Sequence, residues 1–279
     1  MASCEAGLFS LKRSANAMDT GEKGEKMKSF AQVLCFSGGL LASGSAIAQF
    51  DHQLFDQILK QSVVWLEPNS TSCVNYGQID DGALDRYNQS LSAISQAEFD
   101  AWPKPEQLAF LINAYNAFTL ELILTRYPDL DSIKELGTLF QSPWKKKRFA
   151  LFGEPVHLDH IEHELIRPMY QNPHIHAAVV CAAKGCPPLQ DFAYQGDQLE
   201  AQLQTVFENF LASDKNLYVD YAKRMELSAI FRWYRQDFGA SLNQYLSDYS
   251  ASFDATPEQI SEANIRYLDY DWALNRCPG

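Results

Sequence analysis

The sequence predicts an α+β fold: a single, mainly helical domain with a small sheet and hairpins. Three observations carry this. Segments with helical apolar spacing outnumber segments that alternate. The alternating runs are short and sit around turn residues. Strands and helices show no regular βαβ succession, which argues against a doubly wound parallel sheet. Composition agrees with a packed core. Of 279 residues, 46% are hydrophobic and 13% aromatic, which excludes disordered, collagenous and low-complexity classes. The formal charge is −12, so nucleic acid is not expected as a partner, because phosphate binding needs clustered cations.

The N-terminus reads as a targeting region. From Met27 the chain runs MKSFAQVLCFSGGLLASGSAIA before Gln49. A positive start, a short apolar stretch and an Ala46-Ile47-Ala48 ending have the layout of a cleavable secretory signal. Residues 1–26 are expected to be a non-native or disordered leader, residues 27–48 a signal peptide and residues 49–279 one globular domain. The expected location is periplasmic or secreted. Residues 49–279 carry 18 basic and 31 acidic side chains, a net −13. No stable membrane insertion of this mature part is expected.

The elements follow in order. Phe50–Ser62 and Gly82–Ile94 are amphipathic helices, the second with Leu84, Tyr87, Leu91 and Ile94 on one face. Trp102-Pro103-Lys104-Pro105 breaks the chain. Glu106–Arg126 is apolar on every side with Glu121 as its sole interior charge, so it is expected to be buried. Lys147–Leu158 alternates around Gly153 and predicts a hairpin. Asp159–Arg167 predicts a short helix capped by Asp159 and ended by Pro168. Ile175–Cys181, apolar and β-branched, predicts an interior strand. Asp197–Leu211 is amphipathic, Leu217–Leu227 a hairpin, Ala229–Phe238 an aromatic-rich helix, Thr256–Ala263 a last helix and Ile265–Trp272 a last strand.

Several residues along this path can carry chemistry. Asn113 and Asn116 lie about 60° apart on the buried helix, so one pocket can receive both. A buried amide must be hydrogen-bonded; these two either hold neighbouring loops or orient a catalytic imidazole. In VHLDHIEHELIRP, His160 and His163 share a face and Arg167 follows His163 by one turn. Glu162 is either a substrate-binding acid or the acidic member of a capping box. His174 and His176 stand at the head of the expected strand and Cys181 ends it. Cys186 follows a Gly turn beside Lys184, whose ammonium would favour a thiolate, with Pro187 and Pro188 behind it. Cys186 is the best nucleophile candidate. Equally open is a disulfide between Cys181 and Cys186, structural or redox-active, with Cys73–Cys277 as the natural second pair. The basic run Lys145–Arg148 is most simply a solvated face.

Together these motifs resemble the domain-of-unknown-function family numbered 547. The resemblance runs from Val74-Asn75-Tyr76 through AFLINAYNAFT, SPWKKKRFALFGEPVHLDHIEHELIR, NPHIHAAVVCAAKGCPPL and LSAIFRWYRQDFG, about residues 74–239. It implies an α+β domain and marks Asn113, Asn116, His163, His176, Cys181 and Cys186 as motif positions. Ala182-Ala183-Lys184-Gly185 stands where the family usually reads Gly-Ala-x-Ser.

Three functions are consistent with these residues. The first is a thiol-dependent hydrolase or transferase acting on an amide or peptide. Cys186 would be its nucleophile, His176 or His163 its base, Asn116 or Asn113 its orienter, and Lys184, Arg167 and Glu162 would contact substrate. The second is a non-enzymatic binding module with structural disulfides. The third is a metal site built from His160, His163, His176 and the Cys pair. No cofactor motif is present, no metal is assigned, and the expected partner is a small molecule or peptide.

Overall fold

The helix Lys104–Leu124 is buried along nearly its whole length, as its all-round apolar sequence requires. In the computed structural model, which describes residues 49–67, 70–138 and 141–278, the other elements pack around it. It is long and apolar enough to cross a bilayer, yet 89% of its most apolar window is covered by the protein itself. The expected leader and signal peptide lie outside the described residues.

In chain order the helices are α1 (Gln53–Ser62), α2 (Asp81–Ser92), α3 (Gln96–Asp100) and the central α4 (Lys104–Leu124). They continue with α5 (Leu158–His160), α6 (Arg167–Tyr170), α7 (Leu199–Leu211), α8 (Ile230–Trp233), α9 (Leu242–Ser247) and α10 (Pro257–Glu262). Strands β1 (Val63–Glu67) and β2 (Thr71–Val74) form one hairpin, and β3 (Phe149–Leu151) and β4 (Glu154–Val156) another. Strands β5 (Leu217–Val219), β6 (Arg224–Leu227) and β7 (Asn264–Tyr267) form a three-stranded sheet, with β5–β6 antiparallel and β6–β7 parallel. Many helices and small separate sheets make this the expected α+β fold.

Local chemistry explains most of the boundaries. Asp80 caps α2 by accepting from the Ala83 N–H. Pro103 precedes α4 and Pro105 sits in its first turn, where a missing N–H costs nothing. Phe118 of α4 stacks on Phe149 of β3, with ring centroids 4.4 Å apart, and so seats the second hairpin on the core.

Four expectations are corrected. Ile175–Cys181 is not a strand. Pro173–Ala177 is a 3₁₀ turn, opened by the Asn172 side chain accepting from His174 N, and the chain beyond it is irregular. Its buried backbone is satisfied from the side by α4: Asn116 Nδ2 donates to Ala178 O (2.9 Å) and Val180 N donates to Asn116 Oδ1 (2.9 Å). One amide thus replaces a strand partner.

The Asp159–Arg167 helix is also different. His157 caps it, its Nδ1 accepting from His160 N, so neither Asp159 nor Glu162 serves as a cap. It then widens into a π-helical turn over Ile161–Ile166 and runs through Pro168 into α6. Ala229–Phe238 is broken at Tyr234 into α8 and a 3₁₀ turn, Arg235–Phe238. The last strand stops at Tyr267, because its partner β6 ends at Leu227; Leu268 N donates to Leu227 O and the chain then leaves the sheet. The β1–β2 hairpin, α3 and α9 are additions to the expected elements.

Two outcomes follow for stability. Replacing Asn116 by Ala strips partners from the buried Val180 N–H and Ala178 C=O. We expect a loss of about 2–4 kcal/mol, read as a lower denaturant midpoint with unchanged m-value. His52 is buried, and desolvation lowers its pKa to about 4, against a smaller raising effect of Asp51. Its Nδ1 lies 2.7 Å from the Tyr87 hydroxyl. Between about 4 and 6.5 the unfolded chain binds this proton and the folded chain does not. Stability is therefore expected to fall as pH drops through that window, by about 3 kcal/mol from this group. Thermal melts across the window check this, and a His52→Gln variant should show a shallower slope.

Candidate functional site: an aromatic cleft beside a disulfide

The C-terminal segment builds one side of the site. After β7 it runs back along the Cys186 turn: Lys184 N donates to Ala273 O (2.8 Å), Gly185 N to Asp271 O (2.8 Å) and Asn275 N to Ala182 O (3.1 Å). It then joins β2 through Val74 N to Asn275 O (2.8 Å) and Cys277 N to Val74 O (3.0 Å). The Cys73–Cys277 disulfide, with Cα atoms 4.9 Å apart, closes this arrangement across 204 positions of sequence. Gly185 permits the approach. A Cβ there would stand 2.9 Å from the Tyr270 ring and 3.0 Å from the Asp271 backbone.

This packing opens a cleft of about 230 Å³. Its aromatic lining is Trp144, Trp233, Tyr234, Tyr270 and Trp272, and its polar lining includes Asp159, Glu162, His163, His176 and the Cys181–Cys186 pair. Trp233 and Tyr270 have centroids 4.8 Å apart, and Tyr270 and Trp272 4.6 Å. Glu162 reaches the cleft from the π-helical turn, a backbone form that concentrates at functional sites.

The expected site residues divide sharply. Glu162, His163, His176, Cys181 and Cys186 do meet in the cleft. Cys186 is not a free thiol: it is bonded to Cys181, with Cα atoms 6.3 Å apart. The Tyr270 hydroxyl lies 3.0 Å from Cys186 Sγ and 3.1 Å from Cys181 Sγ, and Cys181 N donates to Cys186 Sγ. Burial, seconded by Glu162, pushes the Tyr270 phenol up, so it stays a donor. Asn113 and Asn116 orient no imidazole. Both amides are used on backbone, Asn113 giving to Tyr194 O (2.8 Å) and accepting from Tyr194 N (3.0 Å). Lys184 is exposed and lines a wider groove of about 920 Å³ instead. Arg167 stands beside the cleft, and His160 pairs with Glu164 at 2.9 Å.

Asp237 supplies what Asn116 does not. His176 Nε2 donates to its Oδ2 (2.7 Å), while Arg167 clamps both oxygens through Nε (2.7 Å) and Nη2 (2.8 Å). Desolvation pushes the Asp237 carboxyl up, but the hydrogen bonds from His176 and Arg167 outweigh it and hold it well below the usual carboxylate range. Desolvation lowers the His176 pKa against the opposing pull of Asp237 and Glu162. His176 is therefore a neutral ring with its proton on Nε2. Arg167 also donates to His163 Nδ1 (3.0 Å), and His176 stacks on Tyr234 with centroids 3.9 Å apart. Of the five buried side-chain polar atoms with no partner among the described residues, two belong to cleft residues, Glu162 Oε1 and His176 Nδ1. Sequence reasoning passed over Asp237, Tyr270 and the tryptophans. Their signal was the set of aromatic residues inside polar runs, as in RWYRQDF and DYDW.

Fold and cleft together define an α+β domain with an aromatic-lined side pocket. Residues 99–211 match the family described as Protein of unknown function, DUF547, so the motif resemblance is to that family. The match includes α4, the π-helical turn and the Cys186 turn; the aromatic lining from Trp233 to Trp272 lies beyond it. No curated protein and no solved structure matches the chain.

Replacing Gly185 by Ala forces the C-terminal segment off the Cys186 turn. The expected cost is about 1–3 kcal/mol, and Trp fluorescence should shift to the red as Trp272 and Trp233 lose their packing.

Proposed function

We propose that this chain is an exported binding domain whose working surface is the aromatic cleft, with a small molecule or a peptide side chain as its ligand. The carrying observation is the Cys181–Cys186 bond: it leaves the cleft without a free thiol nucleophile while fixing its floor. Open concave sites with apolar walls and few aimed polar groups suit binding. The secretory layout of residues 27–48 and the two disulfides support an oxidising, periplasmic or secreted location.

A second reading is favoured by the His176–Asp237 pair. Reduction by an external dithiol would free Cys186, with His176 as base and Asp237 as its orienter, for thiol-dependent hydrolysis or transfer at an amide.

Mass spectrometry of non-reduced peptides, with iodoacetamide labelling of the secreted protein, separates the two. The binding reading expects an intact 181–186 bridge, no labelling, and ligand binding by the bridged protein. Stoichiometric labelling of Cys186, with amide hydrolysis lost in Cys186→Ala, would overturn it in favour of the enzyme.

A further inference from the structure

The two unpartnered acceptors state what the cleft lacks. Glu162 is 6% exposed and His176 3%, and both line the cleft. Buried polar groups are normally hydrogen-bonded, and an unmet acceptor costs free energy until a donor arrives. Glu162 Oε1 is a carboxylate oxygen and accepts only. His176 Nδ1 also accepts, because Nε2 holds the proton toward Asp237. The missing group is therefore a donor with more than one N–H or O–H.

The surroundings select a cation. Aromatic faces attract positive charge through the ring quadrupole, and the chain already does this to itself: Lys134 Nζ sits 3.7 Å from the Trp272 centroid, and the Arg167 guanidinium 5.0 Å from that of Tyr234. Two of the nearby cations are already matched by carboxylates. Arg167 is neutralised by its two bonds to Asp237, and Lys145 pairs with Asp159 at 3.8 Å. The net charge of residues 49–279, −13, adds a field that draws cations in. A metal ion is a poor fit, since no three His, Cys, Asp or Glu side chains among the described residues are grouped to hold one.

We propose that the cleft binds a small protonated amine, its N–H groups donating to Glu162 Oε1 and His176 Nδ1 while its apolar part lies against Trp233, Tyr270 and Trp272. This names the ligand class of the binding site proposed above and rests on that reading.

The test follows tryptophan fluorescence and calorimetry of the oxidised full-length domain with three probes of one shape: benzylammonium, benzyl alcohol and benzoate. Benzylammonium is expected to bind at least about tenfold tighter than the other two. Glu162→Gln should abolish that preference with little change in melting temperature, because the side chain keeps its shape and loses only its charge. Trp233→Ala, a change at a half-exposed rim residue, should weaken benzylammonium with little change in melting temperature. Benzyl alcohol or benzoate binding as tightly as benzylammonium, or undiminished preference in Glu162→Gln, would overturn the amine assignment and leave the binding reading standing. Absence of saturable binding by all three would overturn both.

Discussion

Everything in this fold hangs on α4 and on the two amides it carries inward. A helix apolar on all sides can be covered only by other chain, and that chain brings backbone polar groups into the core. Where the covering chain is irregular, those groups need partners that no sheet provides. Asn113 and Asn116 meet the need at two points, Tyr194 and the Ala178–Val180 stretch. The stretch between them contains the Cys181–Cys186 turn, so the asparagines place the cleft floor without touching a ligand.

The second constraint is the C-terminal return. Tyr270 and Trp272 come to the cleft only because residues 271–277 are bonded to the Cys186 turn on one side and to β2 on the other. The Cys73–Cys277 disulfide holds this at the chain's end. Ala182 adopts φ +61° at the turn, a left-handed conformation that disfavours a Cβ by roughly 1–2 kcal/mol. Glycine usually stands at this position in the family that the motifs resemble.

Electrostatics then set the character of the site. Asp237, Arg167 and His176 satisfy one another beside the cleft, which leaves His176 neutral and its Nδ1 without a partner. Glu162 has no such partner for Oε1. Two of the buried side-chain polar atoms left without a partner among the described residues thus belong to this one cleft.

Periodicity made α1, α2, α4, α7 and the β3–β4 and β5–β6 hairpins legible, because each is governed by local spacing, caps and turns. The same reasoning failed at Ile175–Cys181, where an apolar β-branched run has a side-chain amide in place of a strand neighbour, and at Glu162, whose capping alternative was removed by His157. The sequence by itself determined the fold class, the buried helix, the cysteines able to pair and the motif segment that holds half the cleft. Only the tertiary structure decided that Cys186 is bonded to Cys181, that Asp237 rather than Asn116 meets His176, and that Trp144, Trp233, Tyr270 and Trp272 line one cleft. His176 and Asp237 are 61 positions apart, and Trp144 is far along the chain from Trp233 and Trp272; even the five-residue Cys181–Cys186 link depends on a turn held by the distant C-terminal segment, and no local preference of the chain encodes which distant partner a side chain will reach.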